Sequence, residues 1–306
     1  QLLPSAGMCI QQQRLASSMP GFASKQSHAP MYVRNAYYRE LQAAVRQRGD
    51  GRDTAAVLEA TRRYTARFGL DLEDTAACLK ALVECKSSGR SASSDDFMWI
   101  FRQLDHALRT ERAAPGASFG RTVANLVWSL AKLSRMRPPL PTAALTQLPG
   151  LFSIVEEASR PRLRSTFEPR HLILLAWAFA RASVGTESFF LDIGDAAQSR
   201  LGQMNDRQLS NMVWAFATVK VSHSVLSEAA DRAAERGVLR AFSEQSISNM
   251  LWACATLQLC KPELFRGASA AVEARVHEFQ VKGIVNVAWA FASMREPAPS
   301  LLTALS

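Results

Sequence analysis

The chain has 306 residues, 48% of them hydrophobic, with a net charge of +9 and a pI of about 9.7. That composition supplies a sizeable core, and with only 13 Pro and 15 Gly it excludes a disordered or fibrous chain. The longest wholly apolar run, 172–180, is nine residues, too short for the ~20 of a membrane-spanning helix, so no membrane insertion is expected.

The charge is spread thinly: residues 1–115 hold 16 basic and 12 acidic residues, the remainder 20 and 15. This fits a polyanion partner such as RNA and equally a mildly basic soluble surface. Five cysteines, Cys9, Cys78, Cys85, Cys254 and Cys260, are scattered without C-x-x-C spacing. They predict buried free thiols rather than disulfides or zinc ligands.

In chain order, the first acidic residue is Glu40, preceded by Arg14, Lys25, Arg34, Arg39 and five serines. Arg and Ser without acid is the composition of an organellar transit segment or its remnant, here residues 1–32. Helices are predicted at 33–46, 54–68, 70–85 and 95–112, with charged, Gly- and Ser-rich loops at 48–53 and 86–94. Residues 33–115 therefore form degenerate helical repeats, with Lys80 in the place that a tryptophan takes later.

From residue 116 the repeat becomes explicit. Five tryptophans share one context: Asn125-Leu-Val-Trp128-Ser-Leu-Ala131, Leu174-Leu-Ala-Trp177-Ala-Phe-Ala180, Asn211-Met-Val-Trp214-Ala-Phe-Ala217, Asn249-Met-Leu-Trp252-Ala-Cys-Ala255 and Asn286-Val-Ala-Trp289-Ala-Phe-Ala292. Successive tryptophans are 49, 37, 38 and 37 residues apart. A Pro- and Arg-rich insertion at 138–164 accounts for the long first step. Residues two and one before Trp, and two and five after it (Met212, Val213, Phe216, Val219 in the third copy), form one apolar helical face. The residue three after Trp is always Ala, which lets helices approach closely. Ser118, Asn205 and Ser243 are placed as N-caps, and second helices are predicted at 187–201, 224–236 and 263–278. The expected fold is all-α: an α-solenoid of helix-turn-helix repeats of about 37–38 residues over 116–306, its last repeat incomplete.

The Asn-x-x-Trp-Ala-Phe-Ala string at this period resembles the octotricopeptide repeats of green algae and the heptatricopeptide repeats of apicomplexans. It is similar also to the repeats of FAST-kinase-like and RAP-domain proteins. Leu174 departs from the pattern by replacing Asn, and no RAP-type segment is legible in these residues. The resemblance implies an organellar RNA-binding protein, mitochondrial or, alternatively, plastid. It further implies organellar rRNA as partner, with ribosomal proteins nearby in a mitochondrial ribosome or its assembly. A peptide-binding armadillo-like scaffold and a structural subunit of another organellar complex are the alternatives.

The RNA-facing positions are expected on the first helix of each repeat. Seven residues before Trp stand Arg121, Arg170, Arg207, Gln245 and Lys282; three before stand Asn125, Leu174, Asn211, Asn249 and Asn286. One after stand Ser129, Ala178, Ala215, Ala253 and Ala290; four after stand Lys132, Arg181, Thr218, Thr256 and Ser293. Steps of four, four and three place these on one face. Cations there hold phosphates, and Asn either reads a base edge or forms a ladder that fixes helix stacking. Trp128, Trp177, Trp214, Trp252 and Trp289 are read as repeat core, and Arg160, Arg162 and Arg164 as a further basic cluster. No Gly-rich phosphate loop, H-E-x-x-H or G-x-S-x-G occurs, and the histidines are isolated. No catalytic residue, cofactor, metal or small-molecule substrate is expected.

Overall fold

The computed structural model describes residues 29–46, 54–85, 92–113, 118–136, 139–235, 238–298 and 301. Residues 1–28 of the expected transit segment, the loop at 48–53 and most of that at 86–94, and nearly all of a final helix from 299 lie outside them; the last two residues of the segment, Met31 and Tyr32, begin a helix instead. Among the described residues there are thirteen α-helices and no strand: α1 (Met31–Arg46), α2 (Thr54–Phe68), α3 (Leu72–Glu84), α4 (Ser94–Ala113), α5 (Phe119–Leu133), α6 (Thr142–Ser159), α7 (Pro169–Ala182), α8 (Glu187–Gln198), α9 (Asp206–Val219), α10 (Ser224–Ala234), α11 (Glu244–Thr256), α12 (Pro262–Glu273) and α13 (Val281–Met294). None is long and apolar enough to cross a membrane.

The helices sort into two layers. Each odd-numbered helix packs on the odd-numbered helices before and after it, from α1 through α13, and pairs with the even-numbered helix that follows. The odd helices are the A layer and carry the tryptophans; the even helices are the B layer. This is the α-solenoid that the repeat predicts, and it extends through the first described helix, α1. There α3 carries Lys80 in the Trp place, and α1 is a further A helix against it.

The core lies between the layers. Leu126, Leu175, Met212, Met250 and Val287, two before Trp, are fully buried, as are Phe179, Phe216 and Cys254 two after it. The rings two after Trp lock onto B helices. Phe179 meets Phe152 of α6 edge-on at 4.9 Å and Phe189 of α8 at 5.0 Å; Phe216 meets Phe190 at 5.5 Å, and Phe291 meets Phe265 at 5.1 Å. Such edge-to-face pairs add to plain area burial.

Local chemistry sets the helix ends. The side chains of Asn205 and Ser243 accept from the backbone N–H of Gln208 and Ser246, as expected of N-caps. Ser118 precedes α5 but makes no such bond, a correction to its expected role. The stretch 138–164, read as an insertion, is largely helical. Most of it is α6, an 18-residue B helix, and the long first step comes from this helix and the turn after it. Predicted second helices at 187–201, 224–236 and 263–278 each end earlier, with short 3-10 turns at Leu201–Gln203, Val238–Ala241 and Val276–Glu278.

The A helices share an exit that composition does not announce. Six residues after Trp, Ser183, Lys220, Gln258 and Arg295 all stand at left-handed φ, 57°, 60°, 54° and 56°. None is Gly, although Gly adopts this conformation without a Cβ clash. The matching residue of α5, Ser134, is right-handed at φ −60°, so the chain leaves α5 along a different path into the longer α6. Lys220→Gly is expected to stabilise the protein by about 0.5–1 kcal/mol, since a non-Gly residue is disfavoured at this φ. Ser134→Gly, at ordinary helical φ, is expected to give no gain. Urea midpoints of the two variants check this.

Candidate nucleic-acid interface

The exposed surface of the A layer is a ridge whose composition follows from helical geometry. On α5, Arg121, Asn125 and Lys132 are exposed; on α7, Arg170 and Arg181 are exposed and Leu174 half-buried. On α9, Arg207 is exposed while Asn211 and Thr218 are half-buried. The same pattern recurs on α11 with Gln245, Asn249 and Thr256 and on α13 with Lys282, Asn286 and Ser293.

Two expectations about this face are corrected. The small residues one after Trp, Ser129, Ala178, Ala215, Ala253 and Ala290, are completely buried and do not belong to the ridge. The tryptophans, read as repeat core, are only partly buried: Trp128, Trp177, Trp214 and Trp252 pack at the margin of the core, and Trp289 is exposed. The reason is angular. At 3.6 residues per turn, positions seven before, three before and four after Trp fall within about 60° of Trp itself, whereas the position one after is ~100° away. The ridge therefore steps by four, three and four through the tryptophan.

The polar groups of the ridge are largely unengaged. The side-chain amides of Asn125, Asn211, Asn249 and Asn286 make no hydrogen bond among the described residues, so they do not tie neighbouring helices together. Lys132, Arg181, Arg207 and Lys282 make no ion pair among the described residues. Arg121 reaches Glu73 at 3.6 Å and Arg170 reaches Glu168 at 2.9 Å. Both pairs are exposed, where such bridges contribute little. The hydroxyls of Thr218 and Thr256 donate to the carbonyls of Trp214 and Trp252 at 2.8 Å, so they face their own helix.

At the α5–α7 junction the ridge gains aromatic character. Lys132 Nζ lies 5.6 Å from the Trp128 ring centre and 5.7 Å from that of Trp177, on the next A helix. Both distances are within cation–π reach. Arg135 adds a further cation beside them, its guanidinium donating to the Arg181 carbonyl at 3.4 Å. With Arg121, Arg170 and Arg181, this junction is the most cationic part of the ridge. Sequence reasoning passed over Arg135 and the paired rings; stepping the helix through Trp would have found the rings.

The cluster Arg160, Arg162 and Arg164 is placed elsewhere, in the turn after α6 against α8. Arg160 meets Glu156 at 3.3 Å and Asp192 at 2.9 Å, and donates to Ser188 at 2.8 Å. Arg162 is half-buried, donates to the Ala158 carbonyl at 2.8 Å and covers the Phe119 ring at 5.6 Å. Arg164 is exposed, 3.8 Å from Asp195. Arg160 and Arg162 are thus engaged within the fold, while Arg164 is the most exposed of the three.

Compared with known proteins, the chain matches no family model and no curated protein. Among the described residues no group of three or more His, Cys, Asp or Glu side chains is placed to hold a metal. Cys78, Cys85 and Cys254 are buried, and burial pushes the Cys78 and Cys254 thiols up to about 12; Cys260, against expectation, is exposed.

Proposed function

We propose that the A-layer ridge binds single-stranded RNA. The observation that carries this is the row of unpaired cations, Lys132, Arg181, Arg207 and Lys282, standing between Asn amides that bond nothing among the described residues. Cations neutralise phosphates and supply sequence-independent affinity. Free amides can pair with base edges, as in repeat proteins that read about one base per repeat. The exposed margins of the tryptophans offer stacking surface that accepts any base. By the resemblance of the repeat string, the RNA is organellar rRNA and the setting a mitochondrial ribosome or its assembly, with a plastid as the alternative. A peptide lying along the same amides is the competing occupant, and the salt dependence separates the two.

The test is binding of the purified chain to single-stranded RNA across a salt series. RNA binding predicts log affinity falling linearly with log salt. Lys132→Glu/Arg181→Glu is expected to weaken binding about 10- to 100-fold and to flatten the slope by about 0.7 for each phosphate no longer neutralised. Arg102→Glu, exposed on α4 in the B layer, is expected to bind like the unaltered protein. A flat salt response, or equal binding by the double variant, overturns the proposal.

A further inference from the structure

The ridge is not uniform along the solenoid. Its first edge, seven before Trp, carries a cation on α5, α7, α9 and α13: Arg121, Arg170, Arg207 and Lys282. Its second edge, four after Trp, carries cations on α5 and α7 alone among the Trp-bearing helices. There Lys132 and Arg181 are exposed, and Arg135 joins them by donating to the Arg181 carbonyl. Thr218, Thr256 and Ser293 take that place on α9, α11 and α13, while Lys220 and Arg295 stand beyond it in the left-handed turns. Neither α5 nor α7 contains an acidic residue.

On each of these two helices the edges are 11 residues apart, 121 to 132 and 170 to 181. That is about 16 Å along the axis, at nearly the same angle around it. One extended strand that follows either edge leaves the other without phosphates. A paired stem does not, because its two backbones face each other across a wide, shallow minor groove. The groups between the edges agree. On α7 the ridge amide is replaced by Leu174, which offers a base no hydrogen bond. The Trp128 and Trp177 rings already hold Lys132 Nζ, at 5.6 and 5.7 Å. Among the described residues no cation lies over Trp214, Trp252 or Trp289, so those rings are open to bases. The α5–α7 part is thus equipped to hold backbones, and α9–α13, with Asn211, Asn249 and Asn286, to hold bases.

We propose that the partner is an RNA stem with a single-stranded tail. The last base pairs of the stem lie on α5–α7, one backbone on each cationic edge, and the tail runs over α9–α13. This rests on the reading of the ridge as an RNA-binding face. Asn125, exposed between the two edges of α5, is placed to meet a 2′-hydroxyl in the shallow groove. The acidic neighbours of Arg121 and Arg170, Glu73 and Glu168, form only exposed pairs, weak enough for phosphates to displace.

The test titrates the full chain into fluorescein-labelled RNAs, read by anisotropy across a salt series. The probes are a hairpin with a 3′ tail, the same hairpin with a 5′ tail, the blunt hairpin, and an unstructured strand of equal length. Tails of about ten nucleotides exceed what three helices face at about one base per repeat. The better tailed hairpin is expected to bind about 10-fold tighter than both the blunt hairpin and the strand, with the steeper salt slope. Arg135→Glu should weaken both hairpin types about 10-fold and the strand less than about threefold. Asn211→Ala/Asn249→Ala should weaken the strand and the tailed hairpin and spare the blunt one. Circular dichroism checks that the variants fold, and Arg135→Gln repeats the test without reversing a charge. Equal binding of the tailed hairpin and either component, or equal losses on all RNAs in both variants, overturns this inference. Salt-dependent binding of the strand in that case leaves the RNA reading of the ridge standing. If no RNA binds with a salt slope, both fall.

Discussion

Asp74→Ala is expected to destabilise the N-terminal end of the solenoid by about 3 kcal/mol, as removal of a buried, hydrogen-bonded charge does. Asp74 is 2% exposed and joins three helices. Tyr38 of α1 donates to its Oδ1 at 3.1 Å, and Tyr64 of α2 donates to its Oδ2 at 3.3 Å. Arg34 Nε stands 3.2 Å from Oδ1, within ion-pair range but not aligned as a hydrogen bond. Arg34 also pairs with Asp71, so its charge is not stranded by the substitution; the tyrosine hydroxyls are. The Tyr64 ring stays buried, stacked on Tyr37 with centroids 4.3 Å apart, and the Tyr38 ring stays half-buried. Because repeat arrays are held by neighbour contacts, the loss should appear as early unfolding of α1–α3 ahead of α7–α13 in a urea titration followed by hydrogen exchange. The site is also pH-sensitive. Burial, then the Asp71 charge, pushes the Asp74 carboxyl from its ordinary 3.8 up to about 6, against the pull of Arg34. The guanidinium is lowered by its own burial, but the Asp74 and Asp71 charges more than offset this and hold it cationic. A folded-state value above the unfolded one means that protonation favours the folded state. The contribution is complete below about pH 4 and is lost as pH rises through about 6. The N-terminal helices should therefore be more stable at pH 5 than at pH 7.5. Asp74→Asn, which keeps an acceptor oxygen for one of the two tyrosines and cannot ionise, should remove that slope.

How much of this molecule can be read from its residues depends on whether a feature repeats. The tryptophan strings occur five times, so the A helices, their apolar faces and the two-layer stack follow from periodicity alone. Even the worn N-terminal repeats obey it, with Lys80 of α3 in the Trp place. Features that occur once, or that depend on φ, were not legible. The stretch 138–164 looks like an insertion because its Pro and Arg content hides the helical spacing of Leu148, Leu151, Phe152 and Val155, all buried in α6. The left-handed exit at Ser183, Lys220, Gln258 and Arg295 is repeated in space but uses four different residue types, and so leaves no trace in composition. Arg200 and Arg275 close the turns before α7 and α11 by donating to backbone carbonyls: Arg200 to those of Arg164 and Phe167, Arg275 to those of Arg240 and Phe242, at 3.1 and 2.9 Å. Carbonyls are present at every residue, so no motif marks the partner. On the ridge, the cations and amides could be named from spacing. The half-burial of the tryptophans could not, because Trp beside constant Ala reads equally as core or as the edge of a core.

Local propensity and packing disagree over one substitution made at two glycines. Gly120→Ala in α5 and Gly150→Ala in α6 both replace a helical glycine. Propensity alone predicts that both gain stability, by up to about 1 kcal/mol. The surroundings predict opposite signs. At Gly150 a Cβ meets no atom within 4 Å, so the gain should be realised in full. At Gly120 a Cβ would overlap the Thr166 carbonyl, with its carbon at 2.8 Å and Phe167 Cα at 3.2 Å. These are backbone atoms, and the segment that carries them is held on every side. Arg162 covers Phe119 with its guanidinium, Arg200 clasps the carbonyls of Arg164 and Phe167, and Phe167 packs edge-on against Phe119 at 6.1 Å. Relief would require moving α5 away from the turn that starts α7, which opens the junction where Lys132 sits between Trp128 and Trp177. Gly120→Ala is therefore expected to cost about 2–3 kcal/mol, the upper part of the range for overpacking. If the ridge binds RNA as proposed, it should also weaken that binding, although residue 120 carries no charge and is buried. Denaturation midpoints give the two signs directly. If Gly120→Ala proves as stable as Gly150→Ala, the close approach of α5 to the Thr166 turn is wrong, and with it the spacing of the two tryptophans on the ridge.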